Sequence, residues 1–326
     1  MTANGSIDLL PRVLQLSTKL ILLLSFLFMP LISGLQYSVG GRWEASAAPQ
    51  RDCERRFLCT SQNKTWVSDK AVQFDHVSGC KALRSKGISR ILFHGDSFMR
   101  QIYAGMLITL SGNYVNGSIA DTQFARQTGS AACVYHKQFY EKKCGVRQLN
   151  HRGIVCDGKI LLDPVLTGID NLGACSAQNG TVVLFSFGNY KIGGSGRHGV
   201  NNATAYGEFF KRTICPHIKG RSAYETEAEK VCSVWWVSTH ARLRAYYPDE
   251  VPETIDSYNK GMRGFYEDRA NCGHVNYIDV FNMTASLIKT TDPSESSPLS
   301  YDQVHWGMEV NLIKAQIIIS ALSSSS

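Results

Sequence analysis

Four short runs of apolar and β-branched residues punctuate the chain: Ser89–Phe93 (SRILF), Thr181–Phe187 (TVVLFSF), Val231–Val237 (VCSVWWV) and Val275–Val280 (VNYIDV). Each is nearly continuous rather than alternating, the pattern of a strand buried on both faces, and this predicts parallel strands. Stretches with helical spacing lie between or after them, at Met99–Leu110, Ala205–Ile214, Tyr258–Asp268 and Glu309–Leu322. In the last, Val310, Ile313 and Ile317 fall on one face, which predicts an amphipathic helix. Strand alternating with helix predicts an α/β fold whose mostly parallel sheet is covered on both faces. In such sheets the functional groups gather at the carboxyl ends of the strands.

A longer apolar run, Leu20–Leu35 (LILLLSFLFMPLISGL), stands apart near the N-terminus with Arg12 and Lys19 ahead of it. Extended through Val39 it reaches the length of a membrane span, about 17–25 residues. Basic residues ahead of a span favour a cytosolic N-terminus. The expected organisation is a cytosolic tail over 1–19, a signal anchor over 20–38, a small, polar stem over 39–52 and a lumenal domain over 53–326. The competing reading is a signal peptide cleaved after Ala45-Ser46-Ala47 and a secreted product, although that site lies far beyond the apolar run.

Composition narrows the classes. Of 326 residues 44% are hydrophobic, too many for a disordered chain. A single long apolar run excludes a multi-spanning membrane protein. The formal charge of +7 is mild and spread along the chain, with no basic stripe, so no nucleic-acid partner is expected. All ten cysteines (Cys53, Cys59, Cys80, Cys133, Cys144, Cys156, Cys175, Cys215, Cys232 and Cys272) follow the apolar run, and an even count in an oxidising lumen predicts up to five disulfides. No C-x-x-C occurs, so no metal site is expected. Five N-x-S/T sequons, at Asn63, Asn116, Asn179, Asn202 and Asn282, agree with passage through the secretory pathway as glycosylation sites.

Candidate chemistry follows the strands. After the first comes Gly95-Asp96-Ser97. A serine on a tight strand-to-helix turn presents its hydroxyl at the sheet edge, with its own amide and the helix N-terminus facing any negative charge formed there. The plainer alternative is that Asp96 or Ser97 caps a helix. After the second strand comes Gly188-Asn189, where Asn189 is a candidate oxyanion donor and an ordinary Gly-Asn turn is the competing reading. Just ahead of the last helix, Asp302 and His305 have the spacing at which a carboxylate orients an imidazole, and His305 is then a candidate base for Ser97.

The order Gly95-Asp96-Ser97, Gly188-Asn189, Asp302-x-x-His305 resembles the SGNH/GDSL hydrolase superfamily. The forms Gly95-Asp96-Ser97-x-x-Arg100-Gln101 and Asp302-x-x-His305-Trp306 are most similar to its PC-esterase branch, which holds the trichome-birefringence-like polysaccharide O-acetyltransferases. The resemblance spans about Ser89 to Leu322. It implies a disulfide-stabilised three-layer α/β/α sandwich, Ser97 as nucleophile, His305 as base, Asp302 as its orienting acid, and an oxyanion site from the Ser97 amide and Asn189. It also implies a Golgi or other secretory-pathway membrane location behind one N-terminal anchor. A further oxyanion glycine is expected between Ser97 and Asn189, with Gly112, Gly117 and Gly129 as candidates. The plant acetyltransferases carry a cysteine after the tryptophan of this element, where Gly307 stands here.

Gly194-x-Gly196-x-x-Gly199 spells a dinucleotide fingerprint, but it lies beyond the second strand and does not open a helix, so no nucleotide or other cofactor is expected. Arg197 and His198 on this loop, Arg100 near the nucleophile and His240 after the third strand are candidates for touching substrate; Trp235 and Trp236 read as core. The function these features predict is a serine-dependent acyl esterase or O-acyltransferase, acting on an O-acetyl group of a carbohydrate through a Ser97 acyl-enzyme. A transferase needs a partner that supplies the acyl donor to the lumen. The alternative is a non-catalytic glycan-binding or assembly factor on the same fold.

Overall fold

The structure is a computed structural model, and it describes residues 36–38, 42–45, 64–67, 73–119, 133–139, 152–165, 180–186, 203–213, 215, 232–244, 251–268, 275–290, 299–300, 302 and 304–324. The four predicted strands are present as β4 (Arg90–Gly95), β7 (Thr181–Ser186), β8 (Cys232–Val237) and β9 (Asn276–Asp279). They are consecutive neighbours in space. Beyond them, β1 (Gln36–Ser38) flanks β9, and β6 (Ile160–Val165) and β5 (Gly153–Val155) flank β4, giving a seven-stranded sheet in the order β1-β9-β8-β7-β4-β6-β5. Every pairing in it is parallel except β5 with β6. The protein is therefore an α/β fold on a mostly parallel sheet, as the sequence pattern predicts.

Successive residues of the central strands belong to two separate apolar clusters, as the pleat requires. Phe93, Leu184, Trp235 and Ile278 join one, together with side chains of α1 (His76–Ser85), α2 (Ser97–Ser111) and α6 (Met308–Ser324). Leu92, Val183, Trp236 and Tyr277 join the other, with Phe210 of α3 (Ala203–Thr213) and Ile255, Tyr258, Met262 and Tyr266 of α4 (Pro252–Glu267). Trp235 and Trp236 are both fully buried, which confirms them as core. A helix α5 (Phe281–Thr290) follows β9 directly.

The closing helix departs from the amphipathic expectation. Residues 308–322 of α6 are buried without exception, including Glu309, Asn311, Lys314 and Gln316. The reason is that α6 lies against α1, α2, β9 and the 3-10 turn Tyr135–Phe139, so no side of it is left for solvent. The approach to α2 is close enough that a Cβ on Gly105 would stand 2.5 Å from the Asn311 carbonyl oxygen; only glycine fits there.

Ordered structure also begins earlier than residue 53. Gln36–Ser38, assigned from sequence to the anchor, pairs with Tyr277–Asp279, and Arg42–Ala45, assigned to the stem, forms a two-stranded antiparallel ribbon β2 with β3 (Lys64–Val67). Trp43 stands opposite Trp66 with ring centroids 5.5 Å apart, and its indole N–H donates to the Met283 carbonyl at 3.0 Å, which docks the ribbon on α5. The apolar run Leu20–Leu35 lies outside the described residues. Among the described residues no helix is long and apolar enough to cross a membrane.

Cys80 of α1 and Cys156, in the β5–β6 turn, form a disulfide that closes a 76-residue span. Chain entropy alone makes such a loop closure worth about 4–5 kcal/mol. Cys133 and Cys215 are disulfide-bonded as well. Of the five sequons, Asn116 lies in the turn after α2 and Asn282 in the first turn of α5; Asn63, Asn179 and Asn202 lie outside the described residues.

Candidate active site

β4 and α2 are joined by one residue, Asp96. Its carboxylate accepts the Phe98 amide at 2.9 Å and its carbonyl accepts the Arg100 amide at 3.1 Å, so Asp96 is the N-cap. The cap reading is correct for Asp96 and not for Ser97, whose hydroxyl is thereby left for another partner. Gly95 just before it has no room for a side chain: a Cβ would meet the Ser186 carbonyl oxygen at 2.0 Å and Met99 at 2.7 Å. That crowding is the consequence of Gly95 and Ser186 being paired at the carboxyl ends of adjacent parallel strands.

The partner of Ser97 is His305. Ser97 Oγ lies 2.8 Å from His305 Nε2, across 208 positions of sequence. On the other side of the imidazole, Nδ1 lies 2.6 Å from Asp302 Oδ2. Asp302 Oδ1 accepts the backbone amides of Val304 at 3.0 Å and His305 at 2.7 Å, a turn that fixes the carboxylate relative to the ring. Burial acts to raise the Asp302 carboxyl. The hydrogen bonds from the His305 ring and amide, the charge of His305 and the Val304 amide outweigh it, and the group lies below the ordinary carboxylate range. An ionised Asp302 accepts the Nδ1 proton, which leaves the Nε2 lone pair facing the Ser97 hydroxyl.

The segment bearing His305 is tied at several points. Ser300 and Trp306 form an isolated bridge, and the Ser300 hydroxyl donates to the His305 carbonyl at 2.5 Å. The Trp306 indole N–H donates to the Ala241 carbonyl at 2.7 Å, and Asn311 donates to the carbonyls of Trp306 and Gly307 at 2.7 and 2.9 Å. The segment after β8 is held in turn: Asn259 of α4 exchanges two hydrogen bonds with the Thr239 backbone, and Thr284 of α5 accepts the Ala241 amide. The histidine is thus presented by backbone that is anchored, directly or through the segment after β8, to α4, α5 and α6.

The remaining candidates fall as follows. Arg100 is part-exposed on the first turn of α2, one turn from Ser97. His240 does not open to solvent; it is 1% exposed and packs against Phe98 with ring centroids 3.8 Å apart and planes tilted by 40°, while the Phe98 ring meets His305 edge-on at 5.4 Å. Gly112 is the left-handed C-cap of α2, at the opposite end of a 15-residue helix and so about 22 Å from Ser97, which removes it as an oxyanion donor. Asn189, Arg197, His198 and Gly129 lie outside the described residues.

Three participants escaped the sequence reading. Phe98 sits between His240 and His305, with the Arg242 guanidinium 5.1 Å from its ring centroid. Lys314, fully buried, bonds His240 Nδ1 at 2.8 Å. Lys314 was the available signal for the last of these: four residues after Val310 and three before Ile317, it falls on the apolar face of the closing helix. No protein-family model matches the chain, and no curated protein matches it.

Proposed function

We propose that the protein is a serine-dependent acyl esterase or O-acyltransferase whose substrate is an O-acetylated, or acetyl-accepting, carbohydrate in the secretory pathway. The observation that carries this reading is the Ser97–His305–Asp302 chain, with its 2.8 and 2.6 Å separations. In the proposed reaction Ser97 Oγ attacks the acyl carbonyl while His305 Nε2 takes the hydroxyl proton. Asp302 holds the Nδ1 proton and stabilises the imidazolium. The oxyanion is met by the Ser97 amide at the helix N-terminus and by Asn189. Collapse of the tetrahedral intermediate expels the alcohol, protonated by His305, and leaves an acyl-Ser97 ester. Attack by water then gives an esterase, and attack by a sugar hydroxyl gives an acyltransferase.

The carbohydrate, the acetyl group, the Golgi-type membrane location, a supplier of acyl donor and the three-layer form of the sandwich are proposed from the motif resemblance. The two apolar clusters on opposite sides of the sheet support that layering, and the disulfides support an oxidising compartment. A fluorophosphonate probe tests the nucleophile: covalent labelling of the full chain, lost in Ser97→Ala, is the expected result. Absence of labelling in the folded protein would reject the enzyme in favour of a binding factor. Incubation with acetylated and unacetylated glycans and a soluble acetyl donor, followed by mass, separates hydrolysis from transfer.

A further inference from the structure

Behind the triad lies a buried polar pair that the reaction above does not use. Lys314 Nζ, in the middle of α6 and without solvent exposure, is 2.8 Å from His240 Nδ1 and 3.2 Å from Asn311 Oδ1. Asn311 Oδ1 accepts from the amine; the direction of the bond to His240 follows the imidazole tautomer, and an amine that donates there leaves the His240 proton on Nε2. Burying a lysine amine costs several kcal/mol unless hydrogen bonds offset it, and a methionine of similar shape would fill the space without that cost. The amine nevertheless bonds a ring whose own contact leads into the site. The oriented His240 ring covers one side of Phe98, the Arg242 guanidinium lies over the Phe98 ring, and the Phe98 ring contacts His305. Asp302 restrains His305 from its Nδ1 side, and Phe98 is the ring contact from the helix that carries Ser97.

We propose that Lys314 is a positioning residue: by donating to His240 Nδ1 it fixes the ring that seats Phe98, and Phe98 holds the His305 imidazole in line with Ser97. The inference rests on the serine-ester reading given above. A displacement of half an ångström at the base is enough to lose much of its effect, which gives a buried, rigid support its value. Burial, foremost, and then Lys314 and Arg242 also hold His240 below the ordinary histidine range, consistent with a neutral ring in that position.

The experiment uses the full chain, with Lys314→Met, His240→Asn, which keeps an acceptor for Nζ but removes the ring face, and Ile319→Val as a control elsewhere in α6. Hydrolysis of an aryl acetate is measured with the downfield proton resonance of the His305–Asp302 bond. The expected result is a tenfold or greater fall in kcat with KM held within twofold, and a shifted or broadened resonance, in Lys314→Met and His240→Asn but not in Ile319→Val. Wild-type kcat and resonance in a folded Lys314→Met, or equal losses in Ile319→Val at matched Tm, would overturn the proposal. Should both variants fail to fold, nitrogen-15 shifts of wild-type His240 decide: a proton on Nε2 supports the proposal and one on Nδ1 overturns it. Loss of the ester reading is seen separately, as activity that survives Ser97→Ala, and the two resonance measurements stand apart from it.

Discussion

The Trp306 indole donates its N–H to the Ala241 carbonyl at 2.7 Å, joining the residue next to the histidine to the segment that leaves β8. Both residues are buried, Trp306 at 1% and Ala241 at 0% exposure. Trp306→Phe keeps much of the ring and deletes the bond, which leaves a buried carbonyl without its donor. A loss of about 1–3 kcal/mol is expected. Denaturant melts measure it, and labelling by the fluorophosphonate should slow, because the backbone of His305 is freed with it.

Asp302 defines a pH prediction. Its folded-state pKa is depressed, so its contribution to stability is complete above the unfolded value of about 4 and is lost as pH falls through the lower folded value. The Tm of the native protein should therefore drop in that acid window, and the difference from Asp302→Asn should close there. At neutral pH the same variant should lose about 10^4-fold in kcat, as tautomer control is lost in a comparable triad. Retention of activity within tenfold would show that His305 is oriented by other groups.

Two glycines should respond in opposite directions. Gly95→Ala forces a methyl group to 2.0 Å from a strand carbonyl oxygen and requires the β4 and β7 backbones to separate; a loss of at least about 1–3 kcal/mol and of labelling is expected. Gly264, inside α4, has nothing within 4 Å of an added Cβ, so Gly264→Ala should stabilise by up to about 1 kcal/mol. Thermal melts of the two variants test both signs.

The Cys80–Cys156 bond ties α1 to the β5–β6 turn. The double variant Cys80→Ser, Cys156→Ser should lower Tm by roughly 5–15 °C, given about 4–5 kcal/mol and a domain of this size. Peptide mapping without reduction should recover the crosslinked pair, and free thiols at both positions would contradict it.

Asn189 is expected to act on the transition state. Asn189→Ala should reduce kcat by about 10^2–10^3-fold while leaving KM nearly unchanged, the signature of a lost oxyanion donor. An unchanged kcat would assign the oxyanion to other groups.

What could be read along the chain, and what could not, divides by the range of the forces involved. The four central strands announced themselves because strands covered on both faces must be apolar throughout. β6 did not, since Asp163 and Pro164 interrupt its run. In the fold Asp163 is buried against Arg90 and Arg152, and the antiparallel pairing with β5 stops at Leu162, so the N–H that Pro164 lacks is not required on that side. β1, β2 and β3 are three or four residues long and polar in part, too short to carry a period.

The sequence by itself determined the order along the chain of the four central strands, the candidate serine, carboxylate and histidine, and the turn that joins Asp302 to His305, because these depend on neighbours within a few positions. Only the tertiary structure decided that His305 reaches Ser97, that α6 has no solvent face, and that Lys314 touches His240, His240 touches Phe98 and Phe98 touches His305. Those relationships join residues 74 to 208 positions apart or lie in packing between layers, and no local pattern of hydrophobicity carries the angle at which two helices and a loop meet.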